Sequence, residues 1–166
     1  MAGGGACCTL TLIGQKMGRR GEIWVVAQGV LLVLFAFVPK IGPSWPTDDF
    51  FRLAGWLFAG IGSLLLIWSA FNLGRSLTPF PRPLPDGELV TTGAYRFVRH
   101  PIYCSVIIGA LGLSLATENW LRLALTCVFF VFFDIKARRE ERWLQEQYPT
   151  YEAYKLRVKK LIPWIY

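Results

Sequence analysis

One histidine, four cysteines and little charge set the first limits on this chain. Charged side chains make up only 17% of its 166 residues, against about 25% in ordinary soluble domains. Cys7, Cys8, Cys104 and Cys127 form no CxxC pair, and His100 stands alone. A structural zinc site draws four ligands from such groups, so no metal site is expected. The sparse cysteines also exclude a disulfide scaffold, and the composition excludes a collagen-like fibre or a disordered tail.

Apolar surface is what the chain has in excess. It is 54% hydrophobic, with seven Trp, six Tyr and twelve Phe, more than so small a core can hide from water. The length allows one domain, so the excess must face lipid. The net charge of +7 is distributed between apolar runs. That pattern suits anionic lipid head groups better than nucleic acid, which is not an expected partner.

The apolar runs cover residues 23–38, 53–73, 102–117 and 120–133. The second, 21 residues without a charge, reaches about 30 Å at about 1.5 Å per residue, the thickness of a hydrocarbon core. Only Glu118 and Asn119 separate the third run from the fourth. The two read as an antiparallel helical hairpin, with a re-entrant pair as the alternative, and Arg122 can snorkel outward. The expected fold is therefore all-α: an integral membrane bundle of about four transmembrane helices, with a cytoplasmic interfacial helix at the C-terminal end. Residues 1–22 form a tail, 74–101 a loop and 134–166 a C-terminal segment.

Lys and Arg divide 15 to 3 between the two sides of this arrangement, which assigns both termini and the long loop to the cytoplasm or its equivalent. The first run reads as a retained anchor, because no small-x-small cleavage pattern precedes Pro39. Acylation of Cys7 and Cys8 is not favoured, since they lie far ahead of that run. Gly55, Ala59 and Ser63, with Ser105, Gly109 and Gly112, offer small faces for close helix packing.

Two polar segments carry the candidate chemistry. In the loop, Pro79, Pro81, Pro83 and Pro85 make a stiff extended stretch, ended by a turn signal at Asp86-Gly87. Pro101 suits the first position of a helix. Arg99 and His100 then stand at the helix mouth, where unpaired N–H groups attract anions. The plainer alternative makes Arg99 a lipid anchor and His100 a cap. Further on, Lys136 with Glu140 and Arg142 with Glu146 read as a solvated i, i+4 ladder. Glu141, Leu144, Tyr148 and Tyr151 form an inward stripe. An inward carboxylate at head-group level needs a cationic partner, so Glu141 is expected to face the functional site and Glu140 the solvent.

The stretch Leu89-Val-Thr-Thr-Gly-Ala-Tyr-Arg-Phe-Val-Arg-His-Pro-Ile-Tyr103, then Glu140-Glu141-Arg-Trp-Leu144, Tyr148, Tyr151, Tyr154 and Ile162-Pro163, resembles the isoprenylcysteine carboxyl methyltransferases and the related phospholipid N-methyltransferases. The family pattern has glycine where Ser105 stands, and Phe-Gly where Tyr148-Pro149 stands. The resemblance implies a helical membrane enzyme that binds S-adenosylmethionine on the cytoplasmic side. It also implies a pocket capped by the C-terminal segment and a lateral tunnel for a lipidic or prenylated acceptor.

The implied cofactor-binding set is Gly93, Tyr95, Arg99, His100, Pro101, Tyr103, Glu140 and Glu141, and the implied catalytic set is His100, Arg138 and Arg139. Glu141 would bind ribose hydroxyls or the ammonium, Arg99 and the helix mouth at Pro101 the carboxylate. Tyr95 and Tyr103 would offer faces to the sulfonium or the adenine. Arg138, Arg139 and Arg142 would form a cationic rim for an anionic acceptor. Methylation of a carboxylate needs alignment and desolvation but no base. An amine or thiol acceptor would use His100 as proton acceptor. A phospholipid amine or a small thiol is the alternative acceptor. An NADPH-dependent sterol-type reductase, whose chains end in a similar Arg-His-x-x-Tyr segment, and a non-catalytic lipid-binding protein are the alternatives of other classes.

Overall fold

A computed structural model describes residues 21–43, 45 and 48–166. The expected tail is therefore outside the described residues up to position 20, and Cys7 and Cys8 with it. Among the described residues five α-helices follow one another: α1 (Glu22–Phe37), α2 (Asp48–Leu73), α3 (Pro101–Ala116), α4 (Trp120–Gln147) and the short α5 (Tyr151–Arg157). Single 3-10 turns stand at Gly74–Ser76 and Gly93–Arg96.

The stretch Asp49–Ser76 is long and apolar enough to cross a membrane, while α1 and α3 are apolar but shorter. The outer faces of α1 and α2 carry uncovered large apolar side chains, among them Ile23, Val26, Val33, Phe37, Leu53, Trp56, Leu64 and Phe71. Water would not tolerate such a continuous surface; hydrocarbon would.

Helices α2 and α3 meet at backbone distance. A Cβ added at Gly62 would lie 2.6 Å from the Gly109 nitrogen, and one at Gly112 would lie 2.3 Å from the Ala59 nitrogen. The seam follows Gly55, Ala59, Gly62 and the buried Ser69. Ser63, expected on this face, is exposed and bonds back to the Ala59 carbonyl. The departure has a simple cause: a 3.6-residue period alternates steps of four and three, so the stripe moves from Ala59 to Gly62. Ser105 fits where the family pattern has glycine, because its hydroxyl folds onto the Ile102 carbonyl at 2.6 Å.

The hairpin turn between α3 and α4 is capped locally. Glu118 adopts a left-handed φ of 50°, and the Asn119 side chain accepts from the Leu121 and Arg122 amides. Arg122 turns back to Thr117 and the Ala36 carbonyl. Beyond the turn, α4 departs from the expected division at residue 133. It continues unbroken for 28 residues to Gln147, because residues 136–147 are good helix formers without glycine or proline. The separate C-terminal helix is only the seven residues of α5.

Candidate functional site

The site forms where the mouth of α3 meets the charged half of α4. Pro101 opens α3 as its first residue. The preceding backbone runs beside the C-terminal segment: Val98 and Lys159 form a parallel bridge, Arg99 N–H donates to Lys159 O at 2.8 Å and His100 N–H to Lys160 O at 3.1 Å. Two residues 60 positions apart are thereby fixed side by side. Gly93 shapes the approach to this bridge. Its φ is +59°, and an added Cβ would collide with the Asn72 side chain, which accepts from the Ala94 amide at 2.8 Å.

Arg99 and Glu141 form the buried heart of the arrangement. Arg99 Nε and Nη2 lie 2.9 and 2.8 Å from Glu141 Oε1. Its Nη1 donates to the carbonyls of Lys155 and Val158. Glu141 is 4% exposed. Burial acts to raise its carboxyl pKa, but His100 and Arg99 outweigh it and hold the group at about 2. The expectation of an inward Glu141 with a cationic partner holds. Arg99, expected to receive a ligand carboxylate, is bonded to Glu141 and two carbonyls and also borders the adjacent cavity.

His100 lies between the two carboxylates. Its Nε2 is 3.2 Å from Glu141 Oε1 and its Nδ1 3.8 Å from Glu140 Oε2, and its ring stacks on Tyr103 at 5.3 Å. It makes no side-chain cap to α3, so the cap alternative does not describe it.

Beside this network is a cavity of about 370 Å³, within the range of small-molecule sites. Its walls include the proline-rich loop, Tyr95, His100, Tyr103, Lys136, Glu140 and the tyrosines at 148, 151 and 154. The loop is held by Tyr148 Oη, which donates to Gly87 O at 2.7 Å, and by Gln147, which donates to Leu84 O. Tyr154 Oη donates to Tyr95 O at 2.6 Å and ties α5 to the loop side. Burial pushes the Tyr95, Tyr151 and Tyr154 hydroxyls up, so they stay protonated. The Tyr151 hydroxyl is buried without a hydrogen-bond partner among the described residues.

Of the adjacent pair it is Glu140 that lines the cavity, together with Glu88 of the loop, which corrects the expectation of Glu141 facing the site and Glu140 the solvent. Glu140 Oε2 accepts from Tyr103 Oη at 2.6 Å, whereas Glu141 lies behind the wall among Arg99, His100 and Lys155. The solvated ladder is likewise corrected. Lys136 is 2% exposed, donates to Gln28 Oε1 of α1 at 2.6 Å and lies 5.1 Å from the Tyr103 ring centre. Burial lowers its pKa, with Glu140 acting in the opposite sense. Lys136 and Glu140 thus share one helix face, as their spacing requires, but that face lines the cavity.

The structure does not bring Arg138 and Arg139 to this cavity. Arg138 pairs with Asp134 at 2.7 Å, and Arg139 packs over the Trp143 ring; both are exposed. Arg138 stands on the opposite side of α4 from Lys136 and Glu140, and Arg139 stands on a flank between the two faces. Gln28 and Lys136 are among the lining residues that the sequence did not reveal. The available signal was a lysine four residues before a motif carboxylate, directly after an apolar run.

Comparison with known proteins identifies the family. The family model for phospholipid methyltransferase matches residues 50–151. A probable protein-S-isoprenylcysteine O-methyltransferase of Oryza sativa subsp. indica is 30% identical over 165 residues, covering 89% of this chain and 84% of that protein. The cobalt-zinc-cadmium resistance protein of Cupriavidus metallidurans is 35% identical over 151 residues, covering 87% of this chain and 64% of that protein. Methanethiol S-methyltransferase 1 of Bradyrhizobium diazoefficiens is 35% identical over 172 residues, covering 92% of this chain and 56% of that protein. This chain therefore spans less than two thirds of the two bacterial relatives. With more than half of its length matched, the chain belongs to the phospholipid methyltransferase family.

Proposed function

We propose that this chain is an S-adenosylmethionine-dependent membrane methyltransferase acting on an acceptor with an apolar tail. The observation that carries the reading is the placement of Lys136 and Glu140, opposite charges one turn apart, on the wall of a tyrosine-rich cavity. S-adenosylmethionine combines a carboxylate, an ammonium, a sulfonium, ribose hydroxyls and an adenine. The donor set fits those groups, and the Tyr151 hydroxyl, without a partner among the described residues, would supply a further hydrogen bond to a bound molecule.

When bound, S-adenosylmethionine supplies an electrophilic methyl group. Lys136 would hold its carboxylate, Glu140 its ammonium or ribose hydroxyls, and the tyrosine faces its cationic centre. Arg99 and Glu141 keep His100 and the α3 mouth in register, and the tyrosines of the C-terminal segment exclude water. For an amine or thiol acceptor, His100 would take the proton, and the flanking carboxylates would stabilise the imidazolium. A carboxylate acceptor needs only alignment and desolvation.

The family relatives named for isoprenylcysteine and for methanethiol support a prenylcysteine carboxylate as first acceptor class, with a thiol or a phospholipid amine second. The membrane arrangement we propose has α1, α2, α3 and the apolar half of α4 as four spans and both termini cytoplasmic. It rests on the 15 to 3 division of Lys and Arg and on the uncovered apolar faces of α1 and α2. Isothermal titration of detergent-solubilised protein with S-adenosylmethionine and then NADPH is the first test; binding of the former alone is expected. Methyl incorporation into S-farnesylcysteine, phosphatidylethanolamine and methanethiol then ranks the acceptors. Binding of NADPH instead, or of neither molecule, overturns the proposal.

A further inference from the structure

Outside the cavity, a second concave site of about 320 Å³ is lined by Arg96, Phe97, Arg157, Lys159 and Trp164. Three cations converge there, and among the described residues none of them forms an ion pair with a carboxylate. The nearby carboxylates are committed elsewhere: Asp134 to Lys160 and Arg138, Glu141 to Arg99. Cations gathered without a counter-charge repel one another, so the site is built for an anion that arrives from outside.

The aromatic half of the site indicates where it sits. Phe97 lies 6.2 Å from Trp68, which is near the C-terminal end of the one stretch long enough to cross a membrane, Asp49–Ser76. Aromatic side chains at that level lie among lipid head groups. Trp164 is 83% exposed, and Leu156 and Ile165 are exposed beside the cations in sequence.

Trp164 is also held in a left-handed conformation, with φ of 62°, which a bulky residue adopts only where its surroundings impose it. The constraint is visible. Ile162 N–H donates to Tyr166 O at 2.7 Å, and Tyr166 N–H returns to Ile162 O at 3.0 Å. Tyr166 Oη is fixed to Asp134 at 2.8 Å. This turn keeps an uncovered indole beside three unpaired cations.

We infer that Arg96, Arg157, Lys159, Phe97 and Trp164 form a binding site for the phosphate head group of an anionic membrane lipid, separate from the methyl-transfer cavity. The guanidinium groups and the ammonium take the phosphate oxygens, while Trp164, Leu156 and Ile165 enter the acyl boundary. The site joins the 93–97 turn to the C-terminal segment across the same Val98–Lys159 bridge that aligns Arg99 and His100.

The test is titration of the full chain in neutral detergent with short-chain phosphatidylglycerol, with phosphatidylcholine of equal chain length, and with inorganic phosphate. Saturable binding of phosphatidylglycerol is expected, with at least tenfold weaker binding of the other two. The combined variant Arg96→Gln, Arg157→Gln, Lys159→Gln should weaken phosphatidylglycerol binding about tenfold or more, with its melting temperature and S-adenosylmethionine affinity unchanged. Trp164→Ala should reduce the dependence on acyl chain without abolishing phosphate recognition. Equal affinity for inorganic phosphate would make the source a free anion and overturn the lipid assignment. Unchanged phosphatidylglycerol affinity in the combined variant would overturn the site itself. Neither result bears on the methyl-transfer reading, which is read separately from S-adenosylmethionine binding.

Discussion

The two ends of the helical bundle are tied together in different ways. At the hairpin end a local cap sets the turn, with Asn119 accepting from the Leu121 and Arg122 amides and Arg122 reaching back five positions to Thr117. Bonds to the carbonyls of Ala36, Pro39 and Pro43 then clamp that turn to the end of α1 and the segment after it. At the cavity end, Arg99 meets Glu141 across 42 positions and Lys155 across 56, and Tyr154 meets Tyr95 across 59. The hairpin turn keeps its own cap and receives the long-range bonds around it, whereas the cavity end exists only when the loop, α4 and the C-terminal segment are all in place. Disruption at the cavity end should therefore have the larger effect.

The largest effect is expected from removing the buried acid. Glu141→Ala leaves Arg99 buried against carbonyls alone, and breaking a buried pair in this way costs about 3–5 kcal/mol. Chemical denaturation in detergent should show that loss, together with release of the C-terminal segment to limited proteolysis. Stability equal to the unaltered protein would mean that the Lys155 and Val158 carbonyls suffice to hold Arg99.

Acid should reproduce this loss in a defined window. Because the folded state holds Glu141 at about 2 against an ordinary 4.5, its contribution is complete above about pH 4.5 and fades as pH falls toward 2. Asp134 loses stabilisation in the same direction. Burial acts to raise its pKa, but the contacts with Lys160, Tyr166 and Arg138 outweigh it. The difference between unaltered protein and Glu141→Gln isolates the Glu141 share. That difference should shrink as pH falls below about 4.5, and a constant difference would contradict the assignment.

A smaller effect is expected along the α2–α3 seam that joins the two ends. Gly62→Ala forces a methyl group against the Gly109 backbone and should cost about 1–3 kcal/mol. Gly60, two residues away, has nothing within 4 Å of an added Cβ. Gly60→Ala should be neutral or stabilise by up to about 1 kcal/mol. Equal responses from the two variants would remove the close seam from the account. At the hairpin end, Asn119→Ala loses both the cap and the bond to the Pro39 carbonyl and should cost about 1–2 kcal/mol, with donor binding unaffected.

This contrast also explains how far the sequence could be read. Helices, the hairpin, Pro101 as a helix start and the inward Glu141 follow from periodicity and local chemistry, which act over one or two turns. The identity of the carboxylate facing the cavity does not. Glu140 and Glu141 are adjacent, and what lies beyond each is decided by the loop and by α5, far away in sequence. Lys136 looked like a surface residue because its i, i+4 spacing from Glu140 suits a solvated ion pair; the approach of Gln28 from α1 and of the Tyr103 ring makes an inward lysine tolerable. Arg99 looked free to receive a ligand because its carbonyl partners belong to residues 155 and 158, which no local pattern links to it.

The central claim is that Glu140 touches the methyl donor while Glu141 holds the wall behind it. Calorimetric affinity for S-adenosylmethionine, measured on Glu140→Gln beside the unaltered protein, tests it most directly. A hydrogen bond to a charged group contributes about 1.5–3 kcal/mol, so Glu140→Gln should bind about 10- to 150-fold more weakly with its melting temperature nearly unchanged. Normal affinity in Glu140→Gln, with the loss appearing instead in folded Glu141→Gln, would contradict the account.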